Sequence, residues 1–100
     1  MPDPLPLDTP LVASDRQLST TLAGEVIILG LADSVYYGLD GVGTRVWELL
    51  QTPRTVAEIV RTITAEFDVD RERAEADLLA LLADLQSRGL IAIDRSTGDR

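Results

Sequence analysis

The stretch 24–50, GEVIILGLADSVYYGLDGVGTRVWELL, constrains this chain more than any other. It holds two runs of strand-forming residues, 25–31 and 34–39, separated only by Ala32 and Asp33. A gap that short fits a hairpin and little else. The second run enters Asp40-Gly41-Val42-Gly43 and passes straight into a helical pattern. A strand that ends in a helix does not pair onward with the next piece of chain. One edge of 34–39 is therefore expected to stay open, and an open edge accepts a foreign strand.

A hundred residues with 45% hydrophobic content predict one small domain with a modest core. Seventeen acidic against nine basic residues give a formal charge of −8. That balance argues against a phosphate-backbone partner, which calls for a basic face, so no nucleic acid is expected. The chain has no cysteine, which excludes disulfides, a thiol nucleophile and thiolate metal ligation. It has no histidine either, and so lacks the usual general base and metal ligand. The first eleven residues carry four prolines and no basic residue, unlike a signal peptide. No apolar run approaches the roughly 20 residues of a membrane span. The expectation is a soluble, cytoplasmic domain with no membrane partner.

Along the chain, residues 1–10 hold prolines at 2, 4, 6 and 10 and predict a disordered or extended tail. Residues 11–22 suggest a short strand or two β-fragments. The run 25–31 is apolar on both faces, as in a central strand covered by helices on one side. In 34–39 the two-residue period places Val35, Tyr37 and Leu39 on one face and Tyr36 and Gly38 on the other. Gly38 marks either a close approach of another backbone or a bend before the turn. Asp40 is the N-cap candidate of a helix with Val42, Val46, Leu49 and Leu50 in its stripe, ended by Thr52-Pro53. Thr55-Val-Ala-Glu58 is a capping box for a second helix bearing Val56, Ile59, Val60, Ile63 and Phe67.

Asp70 caps a third helix, 71–88, closed by Gly89 with Leu90 behind it. Leu78, Leu81, Leu82 and Leu85 fill a stripe of about 100°, enough for a core face. Leu79 lies about 60° beyond Leu82, next to Ala76 and Ala83. This surplus apolar width fits either a ligand groove or a well-buried helix. Residues 91–93 read as a brief closing strand and 94–100 as a polar end.

No constellation for catalysis emerges. The carboxylates are scattered over helix faces and caps, as on a solvated surface. Gly38, Gly41 and Gly43 match neither the dinucleotide fingerprint nor the phosphate loop, and the chain contains no lysine. Asp33-Ser34 has the look of an acyl carrier's phosphopantetheine site, but that serine opens a helix, whereas Val35-Tyr36-Tyr37 follows here. A non-catalytic binding domain without cofactor or metal is the expectation.

The segment SVYYGLDGVGTRVWELL resembles the PqqD-like family, with its Tyr-Tyr-x-Leu-Asn/Asp strand, glycine-rich turn and Trp-bearing helix. TVAEIVRTITAEFDVDRERAEADLLALLADLQSRGLI is similar to that family's second and third helices. The resemblance covers about 11–93 and is weakest over 11–22. It implies an α+β, winged-helix-like fold, a three-stranded antiparallel sheet packed on three helices. It also implies a RiPP recognition element, which takes the leader of a ribosomally made precursor peptide as an added strand. Here that leader is expected beside 34–39 and against helix 71–88. The contacts chosen are Val35, Tyr36, Tyr37, Gly38 and Leu39 on the strand and Leu79, Leu82 and Ala83 on the helix. Glu75 and Asp77 are chosen to attract a basic leader residue. A free-standing member of the lasso-peptide type, delivering the leader to a protease or another modifying enzyme, is favoured. The alternatives are a PQQ-biosynthesis peptide chaperone working with a radical-SAM enzyme and, in another class, a winged-helix DNA-binding regulator.

Overall fold

A computed structural model describes residues 8–94. In chain order it contains β1 (Pro10–Ala13), β2 (Gln17–Leu22), β3 (Glu25–Gly30), β4 (Tyr36–Leu39) and α1 (Val42–Leu49). There follow β5 (Arg54–Thr55), α2 (Val56–Glu66), α3 (Arg71–Ser87) and β6 (Ile91–Ile93). The fold is α+β and winged-helix-like: three helices pack with a three-stranded antiparallel sheet ordered β2-β3-β4. The expected hairpin is β3–β4, in the register Ile28↔Tyr37 and Ile27↔Gly38. Its connection runs over 31–35 and is longer than the two residues read from the sequence. Ser34 adopts a left-handed φ of 59°, and its N–H donates to the Gly30 carbonyl (2.9 Å), which folds these residues into a turn.

A second three-stranded sheet, ordered β5-β1-β6, was not expected. Its central strand β1 pairs with β6 in the register Val12↔Ala92 and with β5 at Leu11↔Arg54. Residues 11–22 thus supply two strands that belong to different sheets. Pro10 already opens β1, and residues 1–7 of the expected tail lie outside the described residues. Of the polar end, only Asp94 is described. Its N–H donates to the Pro10 carbonyl at 2.9 Å.

Burial follows the sequence periods. On β3, Val26 and Ile28 face the helices and are buried, while Ile27 and Leu29 lie half-buried on the outer face. Val46, Trp47 and Leu49 from α1, Ile59 and Ile63 from α2, and Leu78, Leu82 and Leu85 from α3 complete one core. The Thr55 box forms as expected: Thr55 Oγ1 accepts from Glu58 N–H (3.1 Å), and Glu58 Oε1 accepts from Thr55 N–H (2.9 Å). Asp70 likewise accepts from Arg73 N–H (3.2 Å). At the far end of α3, Leu90 N–H reaches the Leu85 carbonyl and Gly89 N–H the Gln86 carbonyl, both at 3.0 Å. Gly89 has φ +77°, so this is a Schellman stop.

Asp40 is not the N-cap of α1. Gly41 takes that position with φ 54° and ψ −123°, and no side chain caps the helix. That backbone conformation is open essentially to glycine alone. Asp40 contributes its carbonyl instead, accepting from Gly43 N–H at 2.9 Å.

Candidate functional site

Among the described residues, β4 pairs with β3 and with no other strand, so it forms one edge of its sheet. Gly30 N–H donates to the Val35 carbonyl (3.0 Å), which sets the hydrogen-bonding phase of the hairpin. In an antiparallel strand, alternate residues turn both backbone groups to the same neighbour. Tyr37 and Leu39 therefore face β3, and the N–H and C=O groups of Tyr36 and Gly38 face the open edge. The Tyr36 side chain is 70% exposed on the outer face of the sheet. Among the described residues, a Cβ added at Gly38 would meet only Ile27 Cδ1, at 3.9 Å, so none of them requires glycine there.

Tyr37 and Leu39, on the opposite face, pack against the core. The Tyr37 hydroxyl donates to Asp33 Oδ2 (2.9 Å) and accepts from Arg88 Nη1 (3.3 Å). The Arg88 guanidinium also lies 4.8 Å over the Tyr37 ring, while its Nε donates to Asp84 Oδ1 at 3.0 Å. Asp33 Oδ1 accepts from Val35 N–H at 3.1 Å. That bond and the Tyr37 hydroxyl hold the Asp33 carboxyl below its ordinary pKa, and the Arg88 charge lowers it further. Gly30 makes room for the arrangement, because a Cβ there would stand 2.8 Å from Asp33 Oδ1. The chain of contacts pins the first half of β4 to the C-terminal end of α3.

The other end of β4 meets a cleft of about 230 Å³ between the start of α1 and the N-terminal half of α3. Val42, Ile63, Val69, Leu78 and Leu81 give it an apolar lining, with Asp77 among them. Gly43, also on its wall, lies close to Leu39, whose side chain stands 3.4 Å from where a Gly43 Cβ would be. From Leu78 to Arg88, α3 rises about 15 Å. That matches the roughly 13 Å of a four-residue strand. β4 thus meets the end of α3 through Arg88 at Tyr37 and reaches the wall of the apolar cleft through Leu39 and Gly43.

Helix geometry places Asp77, Leu81, Asp84 and Arg88 within about 60° on that flank. Glu75, Leu79 and Ala83 lie on the opposite flank, about 100° or more away from it. Leu79 is half-buried against the core and Ala83 is exposed. Leu82 is 0% exposed and belongs to the core, not to a groove wall. Of the expected set, Val35, Tyr36 and Gly38 lie at the open edge, Tyr37 and Leu39 on the inner face of β4, and Asp77 on the cleft wall. Asp33 and Arg88, which meet Tyr37, and Leu81, which lines the cleft, were not in that set. A tyrosine on the inward face of a strand needs a partner for its hydroxyl, and that was the available signal for this network. Which residues partner it depends on how α3 crosses the sheet.

A profile of the family described as coenzyme PQQ synthesis protein D, PqqD, matches residues 25–91. The chain belongs to the PqqD family. The match runs from β3 to the first residue of β6 and leaves β1 and β2 outside it. This PqqD-family chain is similar to the solved structure of TbiB1 in complex with the TbiA(beta) leader peptide. The identity is 40%, covering 80% of this chain and 93% of that one, with a TM-score of 0.74. It is also similar in fold to a lasso peptide synthetase B1 complexed with the leader peptide. There the identity is 20%, over 82% of this chain and 96% of that one, with a TM-score of 0.72. No curated protein matches the chain.

Proposed function

We propose that this PqqD-family domain is a non-catalytic recognition module of lasso-peptide biosynthesis that binds the leader of a precursor peptide. The leader adds as an extended strand to the open edge of β4 and is then handed to a leader protease or another modifying enzyme. The observation that carries this reading is the pair of outward-facing backbone sets at Tyr36 and Gly38, on a strand whose Leu39 reaches the wall of the apolar cleft at Gly43. Main-chain bonds of about 1 kcal/mol each give affinity without sequence preference, and the flanking side chains supply selectivity. Val35 and Tyr36 offer exposed apolar surface at the edge, and the cleft takes a leader side chain beyond the paired segment. Likeness to a protein captured with a leader peptide, at 40% identity, supports leader binding, and the fold shared with a lasso peptide synthetase B1 is the ground for preferring the lasso type to PQQ synthesis. The DNA-binding reading is disfavoured by a charge of −8 and by Glu72, Asp77 and Asp84 along α3.

Hydrogen exchange with a synthetic leader of the cognate precursor tests the reading. Amides of Tyr36 and Gly38 are expected to slow together with a run of leader amides. Protection confined to α2, or none at all, would remove β4 as the binding edge. The purified domain alone is expected to leave the precursor uncut, as followed by mass spectrometry.

A further inference from the structure

The sheet has a second open edge, at β2, which among the described residues pairs with β3 alone. Edge strands are ordinarily guarded by charge, proline or a bulge. β2 is six residues long, QLSTTL, with no charged residue and no proline, in a chain where 26% of residues are charged. Its outer face carries Leu18 and Leu22, 63% and 62% exposed, with Thr20 between them. We infer that β2 is a self-pairing edge through which two copies of this chain form a weak two-fold dimer.

The backbone phase supports this pairing. Leu31 N–H donates to the Arg16 carbonyl at 3.0 Å, so even-numbered residues of β2 bond to β3. Gln17, Ser19 and Thr21 present their backbone groups to the open edge. An antiparallel copy centred on Thr20 sets Ser19 against Thr21 of the second copy, so outward groups meet outward groups. In the same register Leu18 faces Leu22 of the second copy, and Thr20 faces its own counterpart. These are pairs without direct hydrogen bonds, in which side chains approach most closely. The strand is thus complementary to itself in both hydrogen bonding and apolar contact.

Charge points to the same place. A second copy brings another −8, and self-repulsion disfavours contact across charged surface. β2 is an uncharged strip wide enough for two backbones to meet. Six residues a side is far below the roughly 20–30 of a standard interface, so the dimer is of the weak, reversible kind. The pairing is independent of the leader reading. It builds a six-stranded sheet with a β4 edge free at each end.

Sedimentation of the full chain from about 10 μM to about 1 mM tests the inference. The mass is expected to rise from 10.9 kDa toward twice that value, and to rise further at higher salt as repulsion is screened. Thr20→Lys puts two like charges on the two-fold axis and is expected to hold the protein monomeric with an unchanged melt. The chain has no native cysteine, so register is read independently of that variant. On oxidation, Thr20→Cys is expected to cross-link at least about tenfold faster than Thr21→Cys, since only position 20 meets itself at disulfide distance. A monomer throughout the range, a dimer that survives Thr20→Lys, or equal cross-linking rates would each overturn the proposal. So would leader-induced protection of Gln17–Leu22 in monomeric protein, which would give this edge to a peptide.

Discussion

Leu79, Leu81 and Leu82 stand within one turn of α3, yet the structure gives them three roles. Leu82 is fully enclosed, so Leu82→Ala is expected to lose about 2–5 kcal/mol of stability in a denaturant melt. Leu81 lines the cleft on the flank that meets β4, and Leu81→Ala is expected to weaken leader binding by about 1–3 kcal/mol in titration calorimetry. Leu79→Ala, on the far flank, is expected to leave affinity nearly unchanged. Asp33 adds a prediction about pH. Its folded pKa is depressed, so its contribution is present above the ordinary carboxylate range, near about 3.9, and is lost as pH falls through the lower folded value. Wild type is therefore expected to exceed Asp33→Asn in melting temperature at neutral pH, with the gap closing only in strong acid.

At the scale of elements, the two short helices begin differently. Thr55 caps α2 reciprocally with Glu58, whereas α1 starts on a glycine with no side-chain cap. Thr55→Ala is expected to cost about 0.5–2 kcal/mol. Asp40→Ala is expected to stay within about 0.5 kcal/mol of wild type, and a larger loss on denaturation would restore a capping role to Asp40. The strands show the same dependence on context. The hairpin, the capping box and the Schellman stop at Gly89 all rest on contacts between near neighbours, so their residues are legible in order along the chain. The β5-β1-β6 sheet joins residues about 40 and about 80 positions apart, and no local pattern in PLVA or RT specifies those partners.

For the whole molecule, a charge of −8 sets the long-range field in which any peptide approaches. A leader carrying basic residues is expected to bind with an on-rate that falls several-fold as salt is raised, while its off-rate changes little. Stopped-flow titration separates the two, and an off-rate that carried the salt effect would place a desolvated ion pair inside the site. The hairpin, the three helices, the open edge of 34–39 and the absence of thiol and imidazole chemistry all follow from residue type and short-range period. Tertiary packing alone settles which flank of α3 faces β4, because a helix with apolar residues on both sides of its core stripe can be rotated either way. Apolar periodicity leaves that choice open along the chain. The contact of Arg88 with Tyr37, 51 residues apart, makes it in space.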